Sequence, residues 1–309
     1  MSAPDPVIEH SRRVIERGSR SFTRAAALLA PEIRDAGYQL YAWCRYCDDV
    51  IDEQALGHPV PESVRQAETR TQAERLAELR ALTTAALDGQ PVAQLEYQGL
   101  ARIVARYQIP RLHCFEFLDG MAMDVDGRRY RTIDELVVYC YRVAGVVGVM
   151  MAHVMGVRDA ETLKRAEDLG IAMQLTNIAR DVMDDAGEGR VYLPLQWLVE
   201  AGVDPQAVGR SEHRATVATV VARLLDEAEA RYARADEGIA HLPFQSAWAI
   251  AAARAIYSDI GRVIRGRGAL AWDRRAVVTP GRKYLLVLRT LARTAAGALV
   301  RRSGRQSGL

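Results

Sequence analysis

The sequence predicts an all-α fold. Ala, Arg and Leu are among the commonest residues of a chain in which aromatic residues make up only 6%, a composition that favours helix over strand. No run of alternating apolar and polar residues is long enough for a sheet. Pro, Gly and capping residues fall where helices begin and end. The 309 residues, 49% hydrophobic and 26% charged, are ample for one large domain with a large core, and the composition argues against wholesale disorder.

Taken in order, Ser19-Arg-Ser-Phe-Thr-Arg reads as a capped helix start leading into an apolar stretch that Pro31 ends. A second helix over 32–52 carries Tyr38, Tyr41, Arg45, Asp48 and Asp52 at intervals of three or four. One stripe of an otherwise apolar helix is therefore polar and aromatic, as a helix lining a polar cavity requires. Residues 54–71, with Gly57, Pro59 and Pro61, read as a surface loop. Helices follow over 72–87, 93–107 and 110–122, the last with Pro110 at its first position. Asp124 to Arg131 reads as a loop ahead of a long apolar helix over 132–155, whose first turn sets Asp134 and Glu135 against the helix dipole. Gly145 and Gly148 each cost that helix about 1 kcal/mol relative to Ala, so they mark a bend or a close approach. The next helix starts after Asp159 and ends near Asp185. Helices over 211–240, 243–266 and 280–300 complete a domain of residues 1–300, with 301–309 read as a disordered basic tail.

Charge and cysteine usage narrow the function classes. Cys44, Cys47, Cys114 and Cys140 sit in helical or apolar contexts instead of disulfide spacings, which fits a reducing cytoplasm. Cys44-Arg-Tyr-Cys47 has no second CxxC or paired His to complete a zinc site, so it reads as helix packing. The first twenty residues hold no apolar core of signal-peptide length. The run Val143 to Val157 is short of the roughly twenty residues that span a bilayer and reads as a buried helix. Net charge is +2, yet 13 of the 41 Lys and Arg lie from Arg254 onward, against two Asp. A basic end on an acidic body suits either a solvated surface or peripheral contact with the inner face of a membrane. No nucleic-acid partner is expected.

Two acidic segments carry the chemistry. Gln174-Leu-Thr-Asn-Ile-Ala-Arg-Asp-Val-Met-Asp-Asp185 stacks Asn177, Asp181 and Asp185 on one helix face, and Asp48-Asp-Val-Ile-Asp52 repeats the four-residue spacing. Aligned carboxylates weaken an isolated helix, so a cation is expected over each ridge. A single DDxxD is often a solvated face; two such clusters with Arg45 and Arg180 beside them are much harder to explain that way. Mg²⁺, with Mn²⁺ as the alternative, takes one or two carboxylates and leaves its other positions to water and phosphate. Paired ridges therefore suit a metal-bridged diphosphate, and apolar helices suit its hydrocarbon tail. Ionisation of an allylic diphosphate needs a site that excludes water, and Tyr41 and Tyr139 can face the cation or carry a proton.

Leu169-Gly-Ile-Ala-Met-Gln-Leu-Thr-Asn-Ile-Ala-Arg-Asp-Val-Met-Asp-Asp with the downstream Arg190-Val-Tyr-Leu-Pro, and Tyr139-Cys-Tyr-Arg-Val-Ala-Gly-Val-Val-Gly, resemble the two signatures of the squalene and phytoene synthase family. Ser19-Arg-Ser-Phe22 and the segment from Tyr41 to Asp52 resemble its N-terminal substrate-binding segments, so the likeness covers nearly the whole chain. It implies a single-domain isoprenoid-synthase fold with a central apolar cavity and head-to-head condensation of two prenyl diphosphates. Within the family the sequence is most similar to bacterial phytoene synthases, which implies geranylgeranyl diphosphate as substrate, prephytoene diphosphate as intermediate, phytoene as product and no NADPH. By the same resemblance Asp48, Asp52, Asn177, Asp181 and Asp185 hold the metal, Ser19, Ser21, Arg45, Gln174, Arg180 and Tyr257 contact substrate, and Tyr139 and Tyr41 line the reacting carbons. Other carotenoid-pathway enzymes are the implied partners. Squalene or dehydrosqualene synthesis from farnesyl diphosphate is the alternative within enzymes, and a non-catalytic assembly factor on the same fold is the alternative outside them.

Overall fold

The computed structural model describes residues 5–56, 58–61 and 69–306, and its chain contacts group into two compact units. The first comprises Met1–Asp126 with Val149–Arg158, the second Gly127–Gly148 with Asp159–Leu309. In the first lie α1 (Pro6–Gly18), α2 (Arg20–Ala26), α3 (Pro31–Asp52), α4 (Gln72–Leu87), α5 (Leu95–Tyr107) and α6 (Arg111–Val125). Among the described residues the only strands are the antiparallel two-residue pair Gln54–Ala55 and His58–Pro59, inside the segment read as a loop. Part of that segment, residues 57 and 62–68, lies outside the described residues.

Helix α1 starts on Asp5, whose carboxylate accepts a hydrogen bond from the Val7 amide, with Pro6 in the first turn. The sequence reading did not place it. Its buried Val7, Val14 and Ile15 pack toward α3 and α5. Trp43 on α3 is fully buried with its ring 5.1 Å from that of Phe117, a burial that contributes about 3 kcal/mol. Pro110 caps α6 from outside instead of opening it, because its extended backbone (ψ 125°) cannot belong to the helix. Asp124 falls in the last turn of α6, one turn later than the sequence reading ended that helix.

The long apolar helix is one run in three parts: α7 (Ile133–Cys140), a π-helical turn (Tyr141–Gly145) and α8 (Val146–Val154). The chain passes from the second unit to the first within α8. By length and composition the run from Ile133 to Val154 is apolar enough to cross a membrane, with mean hydropathy 1.6, but half of it is buried inside the protein, as in a core helix.

The second unit is built on α9 (Ala160–Gly187), followed by α10 (Leu195–Glu200), α11 (Arg214–Ile239), α12 (Phe244–Arg267) and α13 (Pro280–Gln306). Helix α9 packs against α11 and α12 through buried Ile171, Leu175, Ile178 and Val182. Its two glycine contacts with the preceding helix allow backbone to meet backbone. A Cβ on Gly170 would lie 2.3 Å from the Ala144 carbonyl oxygen, and one on Gly148 would lie 2.5 Å from that of Ala166. The sequence expectation of a bend or close approach at Gly145 and Gly148 is thus met by a π turn crossing α9. Asp168, 2% exposed, ties α9 to α11 through Arg231 at 3.1 Å and Arg234 at 3.0 Å. Helix α13 is held to α12 by Arg282 on Asp259 at 2.9 Å and by the Trp248 indole donating to the Val287 carbonyl at 3.1 Å. It runs to Gln306, beyond residue 300, and residues 307–309 lie outside the described residues. All four cysteines are free, and burial pushes the Cys44 and Cys47 thiols well up, which disfavours the thiolate.

Candidate functional site

The first acidic ridge occupies the last two turns of α3, where the uninterrupted helix sets Asp48 and Asp52 one turn apart. Asp48 is accessible, with 41% of its side chain exposed, yet recessed. Burial lifts its pKa to about 7; Arg45 opposes the rise, and Asp52, Asp49 and Asp124 add to it. Arg45 approaches Asp48 at 4.0 Å and Asp49 at 3.8 Å and lies near the Tyr41 hydroxyl, whose pKa burial raises and Arg45 lowers in part. A methyl group on Gly18 would come within 2.6 Å of that hydroxyl, so the α1–α2 junction, with Ser19 capping α1, lies directly against Tyr41. The side chain of Ser21 lies outside the described residues.

Three residues around this ridge carry no signal that the sequence reading used. Asp49 accepts from the Leu56 amide at 2.7 Å and so pins the hairpin that follows the helix. Glu53 closes α3 in the left-handed conformation (φ 54°) and receives Arg75 of α4 at 2.8 Å. Arg75, 3% exposed, also donates to the Ile51 carbonyl at 3.3 Å. A buried arginine thereby satisfies the carbonyl end of the helix that bears the ridge. The only trace of it in sequence is one arginine on the buried face of α4.

The second ridge lies on α9, where Asn177, Asp181 and Asp185 occupy successive turns. Asp181 is doubly bonded by Arg180, at 2.9 and 2.5 Å, and met by Arg275 at 3.1 Å. Asp185 has no such partner: burial lifts its pKa to about 7, Asp181 adds to this and Arg190 opposes it. Asn177 donates to Gln174 at 3.3 Å, while its Oδ1 is buried with no hydrogen-bond partner. Tyr257 on α12 lies near Arg180 and Tyr232. Gln174, Asn177, Arg180, Asp181, Asp185 and Tyr257 thus belong to one face of the second unit. Arg275, 94 residues beyond Asp181, was not foreseen.

Tyr139 is 4% exposed and packed in a three-ring cluster with Tyr130 and Tyr192 of the same unit. Its centroid lies 5.2 Å from that of Tyr130 and 5.1 Å from that of Tyr192. The loops that carry the other two rings are joined by Leu195 and Gln196 amides donating to the Tyr130 and Arg131 carbonyls at 2.9 and 3.1 Å. The cluster holds the Tyr139 ring immediately before the π turn, a distortion frequent at functional sites.

No group of three His, Cys, Asp or Glu residues among those described is close enough to chelate a metal unaided. Acids four residues apart are set about 6 Å along the helix, a spacing that suits metals sharing their ligands with water and phosphate. The donors do fit such cations: all are hard oxygens, two carboxylates have their pKa lifted to about 7 chiefly by burial and by neighbouring acids, and Asn177 Oδ1 is a buried acceptor with no hydrogen-bond partner. A cavity of about 230 Å³ in the second unit, lined by Val221, Leu225, Ile264 and Trp272 among others, contains none of these residues.

Comparison with known proteins agrees with this architecture. Residues 15–282 match the squalene/phytoene synthase family. A phytoene synthase of Pseudescherichia vulneris is 42% identical, with the match covering 100% of this chain and 98% of the relative. A 15-cis-phytoene synthase of a Paracoccus strain is 48% identical over 90% of this chain and 88% of its own. The crystal structure of a dehydrosqualene synthase superposes with a TM-score of 0.82 at 25% identity, covering 94% of this chain and 97% of that one. The chain belongs to the squalene/phytoene synthase family.

Proposed function

We infer that the chain is a prenyltransferase that joins two geranylgeranyl diphosphates head to head, through prephytoene diphosphate, to give phytoene. The observation that carries the substrate assignment is identity of 42% and 48% to phytoene synthases over most of both lengths. The chemistry rests on the ridges. Asp48 and Asp52 on α3, and Asn177, Asp181 and Asp185 on α9, offer oxygen donors for divalent cations, which this class of enzyme generally uses; Mg²⁺ is the cation proposed, with Mn²⁺ as a substitute. When bound, the cations supply the positive charge that lets diphosphate leave an allylic carbon.

The chain's own residues do the rest. Arg45 and Arg180 bind phosphate oxygens, Arg180 by giving up part of its hold on Asp181. Ser19 in the first unit and Gln174 in the second are the residues proposed to add hydrogen bonds to diphosphate. Tyr139, packed against its two neighbours, presents a fixed ring to the allylic cation, and Tyr41, near Arg45, serves the first ridge. Tyr257 is proposed to line the site near Arg180. The last step is loss of a proton, so no nicotinamide takes part. A cytoplasmic enzyme with so apolar a product works at the inner face of the membrane, beside the enzymes that consume it.

Farnesyl diphosphate is the second reading, favoured by the likeness to dehydrosqualene synthase. Mass analysis of product from each diphosphate with Mg²⁺, with and without NADPH, separates the two. A C40 hydrocarbon from geranylgeranyl diphosphate without NADPH is expected; product from farnesyl diphosphate alone, or only with NADPH, overturns the assignment.

A further inference from the structure

Helix α13 turns an apolar, cation-rich face to solvent. Tyr284 is 68% exposed, Leu288 44% and Leu299 67%; Leu285, Arg289, Ala292, Arg293 and Ala296 are exposed between them. At spacings of three and four these residues form one stripe. Leu270 and Val277 are exposed just before it. Six of the ten large hydrophobic residues exposed among those described therefore lie between Leu270 and Leu299, a concentration that marks an interaction surface and not the usual scatter. The opposite side of the helix is already used, with Thr290 buried and Val287 bonded to Trp248.

Charge selects the occupant. From Arg274 to the end of the chain there are nine Lys and Arg and no Asp or Glu. Arg275 and Arg282 are engaged by Asp181 and Asp259, but Arg289 and Arg293 stand in the apolar stripe with no acid on their own helix. A second copy of this face would set cations against cations. An apolar stripe with arginines set into it matches acyl chains beneath acidic headgroups. We propose that the α13 face, centred on Tyr284, Leu285, Leu288, Arg289 and Arg293, is the surface by which the chain docks on an anionic lipid bilayer. The proposal deepens the membrane part of the functional reading, and it is tested without turnover, so either can fail alone.

The full chain is sedimented with phosphatidylcholine vesicles and with vesicles containing 30% phosphatidylglycerol, at low and physiological salt. Binding to the anionic vesicles that weakens with salt is expected. R289Q/R293Q weakens it roughly fivefold per arginine, and L285S/L288S on the order of tenfold or more through lost apolar burial. Turnover of detergent-dispersed substrate by both variants stays within about twofold, as for other surface changes, which shows that they fold. Equal binding to neutral vesicles, or binding unchanged in both variants, overturns the proposal. So does a dimer on size exclusion that L285S/L288S dissolves while vesicle binding is absent, which would assign the face to a second copy.

Discussion

The two acidic ridges share a spacing and differ in how their charge is balanced. On α3, Arg45 stands about 4 Å from Asp48 and Asp49, and Asp48 is left near pKa 7. On α9 the middle acid, Asp181, is matched by Arg180 and Arg275, and the uncompensated charge is displaced one turn to Asp185, also near 7. Spacing alone makes the ridges look equivalent; long-range arginines make them different. The first ridge has one arginine about 4 Å from its acids, whereas the second has two arginines on its middle acid.

The largest expected effect comes from removing either ridge. D48N/D52N and D181N/D185N each lower turnover by about 10³-fold or more, as loss of a major electrostatic element does, with unchanged circular dichroism. A ridge pair whose loss costs less than tenfold would not be part of the machinery. Next comes a contrast of two glycines. G170A sets a methyl group against the Ala144 backbone, where nothing can yield, and should destabilise by about 3 kcal/mol. G18A meets only the tip of Tyr41; it should cost under about 1 kcal/mol and show instead as altered kcat with near-normal melting. Equal melting losses would mean that the two contacts are alike.

Smaller effects sharpen the arginine difference. R275A removes an exposed partner of Asp181, so stability should change by less than about 1 kcal/mol while the second ridge binds divalent cation more tightly. Unchanged cation affinity would remove Arg275 from the balance. The smallest effect is confined to acid. Burial raises the Asp259 pKa, but hydrogen bonds from Arg282 and Arg262 more than offset this and hold it below the ordinary 3.8. Its contribution is complete above that value and is lost as pH falls through the lower folded one. The melting difference between the protein and D259N should therefore be widest near about pH 6 and narrow below about pH 4.

What was legible in sequence was what repeats locally. Both ridges, the helices that carry them and the glycine-marked crossing are patterns within one turn or two. Helix α1 was missed because its signal, Asp5 before Pro6, sits in a stretch whose mixed charge hid a short amphipathic face. Arg75, Arg275 and the Asp168 cluster were missed because their partners lie 22 to 94 residues away, and spacing says nothing about pairs that only folding brings together. Asp124 was read as loop because the Gly127 turn, three residues on, drew the helix boundary too early.

The central claim is that each ridge holds divalent cations together with diphosphate. Titration of Mn²⁺ followed by electron paramagnetic resonance, in the presence of inorganic pyrophosphate, tests it without substrate turnover. The protein should bind Mn²⁺ more tightly with pyrophosphate than without, and D48N/D52N and D181N/D185N should each lose part of that binding. Titrations that are the same for the protein and both variants would contradict it.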